Sequence, residues 1–168
     1  MPPRQDNDRI IAALTAHNVR FVLIGGLAAI LQGSPFPTED LDITPEREHD
    51  NLSRLSDALR ELEARVFTQT EPDGLPFDHS ATSLADSGVW NLVTSAGRLD
   101  ISFIPNGTQG FPDLDRSALE YTVEGVSIRV ASLADIIRSK QAANRPKDQR
   151  VLPTLREILA SRHEKNRR

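Results

Sequence analysis

Two aspartates, Asp40 and Asp42, stand one residue apart in the run Asp40-Leu41-Asp42-Ile43, and this run constrains the fold more than any other feature of the chain. In an extended strand, side chains alternate faces with a period of two. Both carboxylates therefore point one way while Leu41 and Ile43 point the other. Two like charges held that close destabilise a sheet unless a cation lies between them. The competing reading is a solvated edge strand on which both acids simply face water.

What precedes the acids sharpens the first reading. Residues 21–24, Phe-Val-Leu-Ile, have the β-branched and aromatic content of a buried strand, and Gly25-Gly26 then turns the chain into a helical run over 27–31. Glycines at such a junction let backbone N–H groups approach a phosphate with no side chain in the way. By itself strand-Gly-Gly-helix is also an ordinary tight turn. The third glycine of a dinucleotide-binding fingerprint is missing, and the Asp-x-Asp strand follows too soon for that fold.

Around this centre the chain reads as alternating helices and strands. Residues 5–17 carry Ile10, Ile11, Ala13 and Leu14 at helical spacing, and residues 47–65 carry a stripe of Leu52, Leu55, Ala58, Leu59 and Leu62. A short strand is expected at 66–69. Residues 71–88 lack periodicity and are expected to form a surface loop folding over a site. Asp78 and His79 lie there, but an isolated Asp-His pair in a loop is read as a local hydrogen bond, and the other histidines have no metal-ligand spacing. Residues 89–94 and 98–104 read as two strands joined by Ser95-Ala96-Gly97. In the second, Asp100 alternates with apolar Leu99 and Ile101. If that strand lies beside the one bearing Asp40 and Asp42, three carboxylates converge on one face, costly without metal and useful with it.

A helical turn at 111–117 and a second hairpin over 118–130 follow. Ser132-Leu133-Ala134-Asp135 is a capping pattern that launches a helix carrying Lys140. Arg145-Pro146 breaks it, because the residue before proline avoids helical backbone. Lys147-Asp148 opens a last helix with Val151, Leu152, Leu155, Ile158 and Leu159 as its stripe, and the tail beyond Ser161 is expected to fray.

The chain's 168 residues are the size of one domain, with a core over about 5–130 and a helical part over about 132–161. A formal net charge of -4 does not suggest nucleic-acid binding by bulk charge. The charge is uneven, however: from Arg138 onward Lys and Arg outnumber the acids Asp148, Glu157 and Glu164. The absence of cysteine excludes a disulfide framework. The polar start and the lack of any long apolar run argue against a signal peptide or membrane span, so a cytoplasmic protein is expected.

Strand-Gly25-Gly26-helix, then Asp40-x-Asp42, then a later strand with Asp100 resembles the nucleotidyltransferase fold of the DNA polymerase beta superfamily. The closing run SLADIIRSKQAANRPKDQRVLPTLREIL resembles the C-terminal helices of small bacterial nucleotidyltransferases, including AbiEii-type toxin-related proteins. The resemblance spans residues 10–159. It implies an α/β (α+β) fold: a mixed β-sheet with flanking helices and two C-terminal helices. It also implies a triphosphate, ATP among the possible donors, held by Gly25 and Gly26, and Mg2+, or Mn2+ in its place, bound by Asp40, Asp42 and Asp100. Asp100 would help draw the proton from the acceptor hydroxyl. Lys140 would reach phosphate or base, with Lys147 and Asp148 at the edge of the same cleft. Two departures stand out: Gly26 replaces a serine that many members carry, and there is no separate acceptor-recognition domain.

The activity so implied is metal-dependent transfer of a nucleoside monophosphate from a triphosphate to a hydroxyl of RNA, protein or a small molecule, with a toxin-antitoxin role and a cognate protein partner among the possibilities. Such transfer needs metal, positive charge and alignment more than covalent chemistry. The alternatives are a non-catalytic nucleotide- or partner-binding protein on the same scaffold, and a metal-dependent hydrolase. Fold does not decide among them.

Overall fold

The computed structural model describes residues 3–168. Helix α1 (Asn7–Ala16) starts where the Asp6 side chain accepts from the Arg9 amide, and it buries Ile10, Ile11, Ala13 and Leu14. Asn18, at φ 56°, then reverses the chain into strand β1 (Phe21–Ile24). Helix α2 (Gly25–Leu31) follows β1 with no intervening loop. Strand β2 (Leu41–Pro45) returns antiparallel to β1.

Helix α3 (His49–Glu61) is shorter than the 47–65 stripe suggested. Glu63 takes φ 54°, and the chain enters a two-residue strand β3 (Arg65–Val66) instead of continuing, so the strand expected at 66–69 is shifted and truncated. Buried Asn51 on α3 bonds the Arg20 amide and the carbonyls of Arg20 and Glu46, which clamps the outer ends of β1 and β2 together. Short helix α4 (Ala81–Ala85), capped by Ser80, packs on α3. Strands β4 (Val89–Thr94) and β5 (Gly97–Ser102) form the expected hairpin.

Helix α5 (Phe111–Arg116) leads to the hairpin of β6 (Leu119–Val123) and β7 (Val126–Val130). Helix α6 (Leu133–Ala143) is capped by Ser132, as its sequence predicts, and ends at Asn144 in left-handed backbone. Helix α7 (Pro146–Asn166) runs on past Ser161, where fraying was expected. Arg162 explains part of the extension, since its guanidinium donates to the Gln32 carbonyl at the end of α2. The side chain of Gln32, itself buried, donates to Ala28 and Ala131. The last helix is thereby anchored over α2.

The seven strands form one mixed sheet in the order β3-β4-β5-β2-β1-β7-β6. β1 pairs parallel with β7 and β2 parallel with β5; the remaining neighbours are antiparallel. Leu41, Ile43, Leu99 and Ile101 are fully buried, so the alternate residues Asp42 and Asp100 face away from that part of the core. Among the described residues no helix is long and apolar enough to cross a membrane.

Candidate active site

Register places the acids. Ile24 pairs with Asp42 across β1 and β2, Asp42 with Asp100 across β2 and β5, and Asp100 with Asn91 across β5 and β4. These four side chains form a row on one face of the sheet. Asp40 lies in the bend just before β2, not in the strand itself. It still reaches the same point: carboxylate oxygens of Asp40, Asp42 and Asp100 lie within 4.8 Å of one another.

The electrostatics show what this gathering costs. Burial, then the charges of Asp40 and Asp100, push the Asp42 carboxyl up to about 7, against the opposing pull of Lys147 and Lys140. Burial, then a hydrogen bond and charge from Asp40, push Asp100 up to about 6, with Arg98 acting in the other direction. Arg98 donates to Asp100 at 3.0 Å and lies 3.6 Å over the centre of the Phe67 ring, so its position is fixed from both sides. The donor set is three hard oxygen ligands with too little positive charge beside them, which fits a divalent cation.

The glycines are demanded by the same closeness. Gly25 has φ +71°, and a Cβ there would run into the Asp42 carboxylate. A Cβ at Gly26 would lie 2.7 Å from both Cβ and Oγ1 of Thr38. The Thr38 hydroxyl donates to the Asp40 carbonyl at 3.1 Å and to its carboxylate at 3.3 Å. Thr38 therefore fills the space a larger residue at 26 would need and orients Asp40 from within it.

Acids, glycines and lysines line one cavity of about 680 Å³, with Lys140 from α6 and Lys147 from α7 among its walls. Asp148 is a correction. It was expected at the cleft edge as a nucleotide contact, but it is fully buried and does not line the cavity. Its carboxylate accepts from the Arg145 amide at 3.1 Å and from Arg145 Nε at 2.7 Å, and lies 3.6 Å from Lys140 Nζ. Burial acts to raise its pKa, but these Arg145 hydrogen bonds and the two cationic charges outweigh it and leave the group below the usual carboxylate range. Asp148 thus joins α6 to α7 and aims Lys140.

The segment 71–88 is a second correction, since none of its residues lines this cavity. Phe77 stacks on Trp90 at 5.1 Å and meets His79 edge-on, while His79 bonds the Ala64 carbonyl at 2.6 Å. Trp90 and Asn91 are neighbours on β4 and point to opposite faces, so a segment packed on Trp90 lies away from the acids. The cavity is closed instead by residues of the 34–40 loop and of the turn after β5. Asp78 bonds Ser80 locally, as expected, but His79 reaches back to the Ala64 carbonyl and does not make the local bond read for the pair. Thr38, Arg98 and Asn91 were missed from sequence. Arg98 shares the face of Asp100 by period-two alternation on β5, a local signal that could have found it, whereas only strand register brings Asn91 to Asp100.

The model of the aminoglycoside-2''-adenylyltransferase family matches residues 8–150. A comparison with curated protein sequences finds no significant match. Among solved structures, the lincosamide antibiotic adenylyltransferase LnuA with lincomycin bound is similar at TM-score 0.59 and 16% identity, covering 92% of this chain and 99% of that one. ANT(2'')-Ia in complex with adenylyl-2''-tobramycin is similar at TM-score 0.51 and 17% identity, covering 93% and 95%. A proposed nucleotidyltransferase from Thermotoga maritima follows at TM-score 0.50 and 20% identity, covering 92% and 90%. At such identities these likenesses concern the fold, which is the nucleotidyltransferase fold.

Proposed function

Because the chain belongs to the aminoglycoside-2''-adenylyltransferase family and is a nucleotidyltransferase, we propose that it moves a nucleoside monophosphate, with ATP as donor, onto a hydroxyl of a small molecule. The observation that carries this reading is the convergence of Asp40, Asp42 and Asp100 within one cavity that Lys140 and Lys147 also line. A donor of this kind implies a cytoplasmic site of action. A toxin-antitoxin role rests on the sequence resemblance to AbiEii-type proteins alone.

Asp40, Asp42 and Asp100 would hold Mg2+, with Mn2+ as the alternative; when bound, the cation supplies charge stabilisation at the phosphates. The chain's own residues do the rest. Gly25 and Gly26 expose backbone to the triphosphate, and Lys140 and Lys147 bring positive charge to the same cavity. The acceptor oxygen attacks the α-phosphorus. The new O–P bond forms as the bond from that phosphorus to the bridging oxygen breaks, and pyrophosphate leaves with that oxygen. Asp100, beside the acceptor hydroxyl, receives the acceptor's proton.

The test is transfer of label from α-phosphate-labelled ATP in the presence of Mg2+ and a set of small hydroxyl compounds. Asp42→Asn should lower transfer about 10³-fold or more. Release of free nucleotide without a labelled acceptor would favour hydrolysis. Transfer surviving in Asp42→Asn would remove the acids from the mechanism.

A further inference from the structure

The sheet register divides the cavity about Asp100. To one side lie Gly25, Gly26, Lys140 and Lys147, the groups suited to a triphosphate. To the other, the sheet wall is made by Val89, Asn91 and Ser102, and the turn after β5 adds Ile104, Asn106 and Thr108 as it crosses toward α6, where Gly107 abuts Ala142. Val89 pairs with Ser102 one step beyond the Asn91–Asp100 pair, so this wall continues the face that carries the acids. None of the six side chains ionises.

Two of them are also exposed where large apolar groups usually are not. Val89 is 53% and Ile104 59% exposed, and with Leu75 and Leu119 they make up the exposed large hydrophobics among the described residues. Both border the same cavity. Apolar surface left open beside a reaction centre gains free energy when a ligand covers it. Asn91 and Ser102, between them and Asp100, offer donors and acceptors without charge.

A polycation would call for free carboxylates on that wall, because a charge taken out of water needs a partner. Asp40, Asp42 and Asp100 are the metal-ligand set. Asp135 stands beside the turn after β5 but is already paired: Arg138 donates to it and to Asp113, which accepts from the Gln109 amide of that turn. The Ser117 hydroxyl also donates to Asp135. Glu39 adjoins Asp40 on the chain, in the loop before β2.

We infer that the acceptor is an uncharged small molecule with an apolar face, seated on Val89 and Ile104 and hydrogen-bonded by Asn91 and Ser102, and not a polycationic aminoglycoside. The inference rests on the nucleotidyl-transfer reading and adds the class of acceptor to it. The acceptor hydroxyl then lies beside Asp100, which takes its proton as the oxygen bonds the α-phosphorus and pyrophosphate leaves.

The experiment measures pyrophosphate release from ATP and Mg2+ with chloramphenicol or uridine as uncharged acceptors and kanamycin or tobramycin as polycations. The rise in thermal midpoint caused by ATP with Mg2+ is recorded in parallel. The expected result is release above the acceptor-free rate with an uncharged acceptor, at a kcat/KM at least about tenfold above either polycation. Ile104→Glu should raise KM for the uncharged acceptor about tenfold and lower it for kanamycin. Preference for kanamycin, or no response to an uncharged acceptor in a protein that ATP and Mg2+ still stabilise, would overturn the acceptor class alone. No stabilisation by ATP and Mg2+ would overturn the transfer reading and this inference together.

Discussion

Gly26 shows how a single residue is set by its neighbours. Read against the resemblance, it is a missing serine hydroxyl; in the structure, Thr38 occupies the volume that a side chain at 26 would take. Restoring the serine should therefore damage the site, not improve it. Gly26→Ser is expected to lower stability by about 1–3 kcal/mol through overpacking. Adding Thr38→Gly, which removes both crowding atoms, should recover more stability than the sum of the single effects predicts. Denaturant titrations of the four proteins check this, and simple additivity would show that positions 26 and 38 do not compete. Asp40, Asp42 and Asp100 were each legible as residues in the sequence, because period-two alternation is a local rule. Asp40 met the others although it lies outside the strand, as a bend can bring a side chain to the place that strand geometry suggests.

Between elements, the junction of α6 and α7 carries the most consequence. Lys140 belongs to one helix and Lys147 to the next, and buried Asp148 ties the two through Arg145 and Lys140. Asp148→Asn keeps the size and removes the charge, leaving two cations without their shared partner. Because both cations are partly exposed, the cost should be about 2 kcal/mol, below that of a fully buried pair. In kinetics it should raise KM for ATP more than it lowers kcat, since Lys140 is misdirected but present. The effect should shrink in a Lys140→Met background, and an equal effect there would make Asp148 purely structural. The capping serine, the break before Pro146 and the apolar stripe of α7 were readable from local pattern. The burial of Asp148 was not, because a carboxylate near a helix start looks the same in sequence whether it faces water or three hydrogen bonds.

At the scale of the whole molecule, the acid cluster couples stability to pH and metal. Asp42 and Asp100 are raised from an ordinary carboxylate value of 3.8 to about 7 and about 6, so the folded state holds protons that the unfolded chain releases. Their contribution is fully present below about pH 4 and is lost as pH rises through the folded values. The acids lowered by folding, Asp78, Asp113 and Asp148, act below that window. The metal-free protein should thus lose thermal stability between pH 5 and 8. Mg2+ should restore more at pH 8 than at pH 5.5, by a difference of about 3 °C or more in Tm. Asp42→Asn should flatten the metal-free profile and abolish most of the Mg2+ effect. Calorimetry at the two pH values, with Mg2+ and with EDTA, checks this; a Mg2+ effect independent of pH would mean the cation binds elsewhere.

By itself the sequence determined the alternation of helices and strands, the period that turns Asp42 and Asp100 outward from the core, the glycines at the end of β1 and the basic closing helices. Each depends on residues a few positions apart, where backbone geometry and burial leave little choice. Tertiary structure alone decided that β2 pairs parallel with β5 so that Asp42 meets Asp100, that Thr38 stands in the space above Gly26, that Asp148 is sealed between Arg145 and Lys140, and that residues 71–88 follow Trp90 away from the cavity. Those outcomes depend on register and packing between separate elements, far apart in the chain for β2 and β5 and only a few residues apart for α6 and α7, and no local pattern carries that information.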